Sequence, residues 1–325
     1  MTGERGLVAT AGYDHYIRLF DMASGRQLQV MNHTDALANV LTISEDQQYL
    51  GVGSFQRLRV FDLNCSSQPY MALDNADKKN VTCVGMWDES KYVYTGGEEG
   101  TARIYDIRVN LPAMLNQIGV NSLPDNGPIQ SMVLHPNQSN FFISDTLGGV
   151  HWWNITANKC ETLPLGGLQN EFVTRLDVHP KGHRLVGCTN RGNLVRWSLD
   201  GMSDEEALST GIGTRGVAPR GVKAHGAQTP SLAVRHSPTG ELIASTTIDN
   251  FIRIFKADTL EYEGDVTGGS KWIQDVFFTL DESCVVSGSQ TSPQLLDIST
   301  SRPKAIYNGH SDRKLLTCVY AHEPM

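Results

Sequence analysis

Two sets of side chains in this sequence combine a hydroxyl, a carboxylate and an imidazole, the trio that activates a nucleophile for hydrolysis. One is Thr10, Asp14 and His310; the other is Ser245, Asp249 and His225. In each set the Asp lies six residues, and the Ser or Thr ten, before an aromatic, Phe20 or Phe255. Four further histidines, His135, His179, His236 and His322, stand at equivalent ends of apolar runs in different repeats, and a metal would require them to converge near one rim. No second ligand follows any of them at metal spacing. Thr95-Gly96-Gly97-Glu98-Glu99-Gly100 has the glycines of a phosphate cradle, but no lysine follows and the chain runs straight into an apolar alternation.

The elements that must position these groups are copies of one another. LVATAGYDHYIRLFD (Leu7–Asp21) is two runs of alternating apolar residues around a tight polar turn, a hairpin with one buried face. Related hairpins begin at Tyr49, Tyr92, Phe141, Arg184, Leu242 and Cys284. Their second strands end in an aromatic-polar pair or a decayed form of one: Phe20-Asp21, Phe61-Asp62, Tyr105-Asp106, Trp153-Asn154, Trp197-Ser198, Phe255-Lys256 and Leu296-Asp297. Successive pairs are 41, 44, 48, 44, 58 and 41 residues apart. A period of about 40–45 residues ending in a Trp-Asp-like dipeptide marks a WD-repeat β-propeller. Seven copies predict an all-β, seven-bladed propeller spanning 1–325 as one domain.

Each hairpin is preceded by an inner strand, at Leu37–Ile43, Val81–Trp87, Ile129–His135, Val173–His179, Ser231–His236 and Ile273–Thr279. The chain begins with a hairpin that has no inner strand before it and finishes with one, Leu315–Ala321, that has no hairpin after it. Joining them as one composite blade closes the ring and leaves no free edge at the seam. The connections at 109–127 and 200–226 are longer than a turn needs, which makes them either functional or solvated excursions.

This repeat decides against the hydrolase. The hydroxyl-carboxylate-imidazole set recurs in two blades at the repeat's own spacing, as a structural hydrogen-bond network would. Phenylalanine at both aromatic positions offers no indole N–H, so three members remain in each. Propeller enzymes gather carboxylates around the central channel, whereas the inner strands here carry only Asp177 and Asp275. No catalytic residue, metal ligand or cofactor is expected.

A formal net charge of −8 argues against nucleic acid and against an anionic membrane surface. No apolar run approaches the roughly 18 residues that span a bilayer, and the first residues lack a signal core. The six cysteines form no CxxC pair, which fits a reducing compartment and a cytoplasmic location. The aromatics of the dipeptides are blade core, but Trp272 lies in a connection just before an inner strand, where the chain crosses one rim of the disc. A tryptophan there is either a filler between blades or an anchor for a protein partner, and the mixed surface around it favours the anchor. Its companions at comparable places are Leu37, Asn80, Phe172, Thr229 and Lys314.

LVATAGYDHYIRLFD, YTGGEEGTARIYDIR (Tyr94–Arg108), LHPNQ (Leu134–Gln138) and the closing NGHSDRKLLTCVY resemble the small WD-repeat, G-protein-beta-subunit-like subunit of target-of-rapamycin (TOR) kinase complexes. The resemblance implies a non-catalytic scaffold. One rim would dock on the kinase catalytic domain and stabilise or activate it in growth and nutrient signalling, alongside the other subunits of its complexes. Through such a complex the chain would reach a lysosomal or vacuolar surface without inserting into the membrane. Trp272, Asn39 and the His33-x-Asp35 pair match the family's rim pattern, and Leu37 stands where the family has a polar residue. The alternative is a generic WD-repeat adaptor, of the ubiquitin-ligase or G-protein-beta type. A G-protein beta subunit would carry a long N-terminal helix, and only six residues precede the first expected strand.

Overall fold

Strands of alternating apolar and polar residues, six residues long and separated by turns of Gly, Asn, Asp and Ser, can bury one face only by stacking on another sheet. The computed structural model shows how this chain does so. It describes residues 6–34, 36–64, 68–87, 90–108, 117–123, 125, 127–163, 170–199, 219–223, 229–267, 272–289, 292–310 and 316–323. Blade 1 contains β1 (Leu7–Gly12), β2 (Tyr16–Asp21) and β3 (Gln27–Asn32). Blade 2 is β4 (Ala38–Ile43), β5 (Tyr49–Ser54), β6 (Arg57–Asp62) and β7 (Pro69–Asp74). Blade 3 is β8 (Val81–Trp87), β9 (Tyr92–Gly97), β10 (Thr101–Asp106) and β11 (Gln117–Ser122). Blade 4 is β12 (Ile129–Leu134), β13 (Asn140–Asp145), β14 (Val150–Asn154) and β15 (Lys159–Leu163). Blade 5 is β16 (Val173–Val178), β17 (Arg184–Thr189), β18 (Asn193–Ser198) and β19 (Pro219–Lys223). Blade 6 is β20 (Ser231–His236), β21 (Leu242–Thr247), β22 (Phe251–Lys256) and β23 (Tyr262–Thr267). Blade 7 is β24 (Ile273–Phe278), β25 (Cys284–Ser289), β26 (Gln294–Asp297) and β27 (Pro303–Ile306). The last strand, β28 (Leu316–His322), is the inner strand of blade 1.

Each sheet is four-stranded and antiparallel, and the seven inner strands neighbour one another around a ring. The fold is therefore the seven-bladed propeller expected from the repeat, closed by pairing of β28 with β1 from Leu7↔His322 to Gly12↔Leu316. The apolar core lies between blades rather than within them. Leu7, Ala9, Ile17 and Met31 of blade 1 pack on Leu41, Leu50, Val52 and Phe61 of blade 2. At the seam Val8, Phe20, Leu316 and Val319 pack on Phe277, Val286 and Tyr307 of blade 7. The Tyr307 hydroxyl donates to the Met22 carbonyl at 2.7 Å, a polar weld across the same seam. Phe20, Phe61, Tyr105, Trp153, Trp197 and Phe255 are all buried, as blade-core residues must be.

Histidines at the ends of inner strands turn out to be latches. His135 Nε2 reaches the Gly182 carbonyl of the next blade at 2.8 Å, and His322 Nε2 reaches the Glu45 carbonyl of the next at 3.1 Å. The receiving turns take glycine for steric reasons. Gly182 and Gly240 have φ of 78° and 80°, and a Cβ at either would collide with the incoming ring, of His135 or His179. His236 does not share this position, contrary to the alignment of the four histidines made from the sequence. The equivalent residue in its blade is Ser237, whose amide bonds the Leu242 carbonyl as that of His179 bonds Arg184. A shift of one residue turns a strand side chain to the opposite face. His236 accordingly points back to the preceding blade, with Nδ1 2.9 Å from Asp177.

Candidate functional site

The hydroxyl-carboxylate-imidazole set of blade 1 does assemble. His310 Nε2 is 2.8 Å from Thr10 Oγ1, and Nδ1 is 3.0 Å from both Asp14 oxygens. Arg18 Nη1 donates to Asp14 Oδ2 at 2.6 Å. Burial alone would raise the Asp14 pKa, but hydrogen bonds from Arg18 and His310 outweigh it and hold the carboxyl below its usual range. For His310 burial dominates and lowers the pKa, with the Arg18 charge acting in the same sense. Thr10 is fully buried, so its hydroxyl faces no space that a substrate could enter. The geometry is that of a closed network that fixes the β1–β2 turn.

In blade 6 Ser245 is likewise buried, and Asp249 accepts from Thr247 and Arg253, both at 2.6 Å. His225 lies outside the described residues. Variants in other blades were missed from the sequence because residue types change while the arrangement persists. Blade 3 places Glu99 2.8 Å from Arg103, with Asp77 from the β7–β8 connection 3.4 Å from the same guanidinium. Blade 4 exchanges the roles of the strands. Asp145 on β13 is 2.7 Å from His151 Nε2 on β14, and Thr162 is 3.1 Å from Nδ1. The retained signal is a charged residue four positions before Arg, at Asp14, Glu99 and Asp249.

Inside the ring the two inner-strand carboxylates do not form an acid pair. Arg235 lies between them, 3.4 Å from Asp177 and 3.6 Å from Asp275, with its guanidinium 5.0 Å over the Phe277 ring. Burial would raise the Asp177 pKa, yet bonds from His236 and the charge of Arg235 keep it low. Asp177 is thus held as an anion by an imidazole and a cation, which leaves it no proton to donate. Among the described residues no group of three or more His, Cys, Asp or Glu is placed to hold a metal.

In an antiparallel blade entered at its inner strand, the hairpin turn and the exit to the next blade lie at the same end. Trp272, half exposed just before β24, is therefore on one face with the exposed hairpin-tip residues Tyr13, Phe55, Leu147 and Ile248. Tips and connections are also joined. The Asn39 amide donates to Asn80 Oδ1 at 3.2 Å, Asn80 in turn donates to Glu98 at 3.1 Å, and Phe55 bridges Asn80. Phe172 is half-buried, its amide tied to Asn190 Oδ1 at 3.1 Å. Leu37 is half-buried and precedes β4, which starts at Ala38. Asp35 and Lys314 lie outside the described residues.

Two of the rim assignments need correction. The residue equivalent to Trp272 in blade 6 is Pro230, directly before β20, not Thr229. His33, matched with Asp35 as a rim residue, is buried, and its Nε2 is 2.7 Å from Ser54 Oγ. It belongs to the polar interior between blades.

Fold and face together define a class: a seven-bladed β-propeller that presents aromatic and aliphatic side chains on the face formed by its hairpin tips. A profile of the WD domain, G-beta repeat family (WD40) matches residues 68–106, which run from the outer strand of blade 2 through the third strand of blade 3. The chain is 29% identical over 252 residues to the cattle "Target of rapamycin complex subunit LST8", covering 77% of this chain and 72% of the relative. It is 28% identical over 273 residues to Arabidopsis thaliana "Target of rapamycin complex subunit LST8-1", covering 82% of each. The Drosophila melanogaster "Protein LST8 homolog" is 26% identical over 273 residues, covering 83% and 81%. The resemblance seen in the repeat motifs thus extends over most of the chain.

Proposed function

We propose that this chain is a non-catalytic scaffold subunit of a TOR kinase complex. It binds the kinase catalytic domain through the hairpin face and stabilises or activates the kinase in growth and nutrient signalling. The observation that carries the reading is the likeness over three quarters of the chain to proteins named as subunits of that complex. The exposed Trp272 supports the choice of face, since a half-exposed tryptophan that shares a face with other exposed aromatics and aliphatics is suited to anchoring a partner. Work as a cytoplasmic subunit, carried to a lysosomal or vacuolar surface only through its complex, agrees with cysteines that are thiols rather than disulfides where they are described, at Cys83, Cys160, Cys188 and Cys284.

Replacing Trp272 tests the reading. Trp272→Ala is expected to leave the melting temperature unchanged and to weaken capture of the TOR-type kinase about 30-fold or more, the effect of losing a hot-spot side chain. The measurement is co-purification from cells expressing tagged wild-type or variant protein, with the captured proteins identified by mass. Undiminished recovery of the kinase with the variant removes Trp272 from the interface. Recovery of an unrelated complex by the wild type removes the TOR assignment and leaves a generic adaptor.

A further inference from the structure

Cysteines buried among apolar residues are inert, and two in this chain are of that kind. Cys83 donates to the Gln130 carbonyl at 3.4 Å, and Cys188 lies 3.3 Å from Thr174 Oγ1. Burial pushes both thiols up, that of Cys188 to about 11. Cys284 differs. Its sulfur accepts from the Lys304 ammonium at 3.0 Å, and the same Nζ is 3.2 Å from Asp297 Oδ2. Ser283 Oγ is 3.3 Å from the same sulfur.

The pairing of blade 7 makes this contact. Cys284 opens β25 and pairs with Asp297 at the end of β26, while the register of β26 with β27 shifts between Leu295 and Leu296. Lys304 stands at that shift and reaches over β26 to the sulfur. Cys284 is buried at the seam with blade 1, in one core cluster with Phe20, Met22 and Tyr307. Its lysine partner is half exposed, so the contact lies one side chain beneath the solvent.

A thiol beside a cation near solvent is the setting in which cysteine reacts with peroxide, and a sulfenic acid condenses with a neighbouring nitrogen. We propose that Cys284 and Lys304 form a reversible oxidative cross-link, with hydrogen peroxide as the oxidant. First, the sulfur attacks one peroxide oxygen and the O–O bond breaks, giving a sulfenic acid and water. The sulfur loses two electrons and the peroxide gains them. Second, Lys304, having released one proton to solvent, attacks the sulfenic sulfur. An S–N bond forms, the S–O bond breaks, and hydroxide leaves with a second nitrogen proton as water. The product pins β27, only four residues long, to β25 in the blade that closes the ring against blade 1.

The test treats the intact, folded protein with hydrogen peroxide and blocks the remaining thiols. Products are mapped by mass after digestion with chymotrypsin, which separates the two residues at Leu295 and Leu296. Wild type is expected to yield the Cys284 and Lys304 peptides joined, lighter than their sum by two hydrogen atoms, and parted again by dithiothreitol. Lys304→Arg keeps the cation, but its guanidinium stays protonated and is no nucleophile. This variant should lose the joined species and yield instead a Cys284 sulfenic acid that dimedone traps. Cys284→Ser should give neither product. Melting curves of the untreated variants establish that each is folded. An unmodified Cys284 in peroxide-treated wild type, or oxidation that never joins it to Lys304, overturns the proposal.

Discussion

Deleting residues 316–323 destroys the cooperative fold. These residues contain the whole of β28, whose Leu316, Val319 and Ala321 are buried against β1 and blade 7. Losing the burial of the leucine and valine alone costs about 3–6 kcal/mol. The deletion also uncovers the ladder edge of β1 and removes the neighbour that β4 and β24 share in the ring. A native domain has about 5–15 kcal/mol in total. In an open solenoid the loss would stay local, because terminal repeats touch one neighbour each. In a closed ring the end of the chain lies in the middle of the structure. The expected result in thermal or urea melts is loss of the native transition, or a melting temperature lower by about 10 °C or more. Val319→Asp in the full chain should act in the same direction by burying an unpaired charge. A deletion variant that melts like the intact protein would show that the ring does not depend on its seam.

Acid weakens the protein through its latching histidines before it protonates the carboxylates. His179 is 4% exposed, with its ring 3.9 Å from that of His183 and 5.4 Å from that of His236. Burial first, and then the charges of His183, His236 and Arg184, lower its pKa to about 4. The unfolded chain titrates near the ordinary imidazole value of 6.5. Above that value both states are neutral and the latch is at full strength. As pH falls toward 4 the unfolded state takes up a proton that the folded state refuses. Stability then declines by up to about 1.4 kcal/mol per pH unit, about 3 kcal/mol in all. His310 and His322, whose pKa values burial also lowers, contribute in the same sense. Asp14, Asp145 and Asp249 have lowered pKa values, so their losses come only at still lower pH. Urea melts across this interval should show the decline, and His179→Gln should flatten it by close to one proton. An equal slope in the variant would assign the acid sensitivity to another group.

The architecture was legible because it is written seven times. A single hairpin such as CVVSGSQTSPQLLDI is a poor signal, with Pro293 beside its second strand, and that strand is indeed short, Gln294–Asp297. Its place in a series identified it. The polar networks were less legible. Thr10, Asp14 and His310 follow the usual spacing, whereas Asp145 and His151 make an equivalent contact from exchanged strands, and Asp77 replaces a histidine altogether. Such networks conserve charge complementarity rather than residue type, and a spacing rule sees only type. His236 was misplaced by one residue because the apolar run fixes a strand's existence better than its last position. The ion pairs of the channel were invisible to any linear reading, since Asp177, Arg235 and Asp275 lie in three repeats and only the circular arrangement brings them together.

The antiparallel pairing of β28 with β1, with His322 opposite Leu7, has a topological corollary. Those two residues are joined side by side like the legs of a hairpin whose loop has been cut. A few residues of Gly and Ser bridging them would make the backbone a continuous circle, and the circle could be reopened between any two sectors. The wheel itself thus dictates no first sector, and seven rotated versions of one molecule should assemble into it.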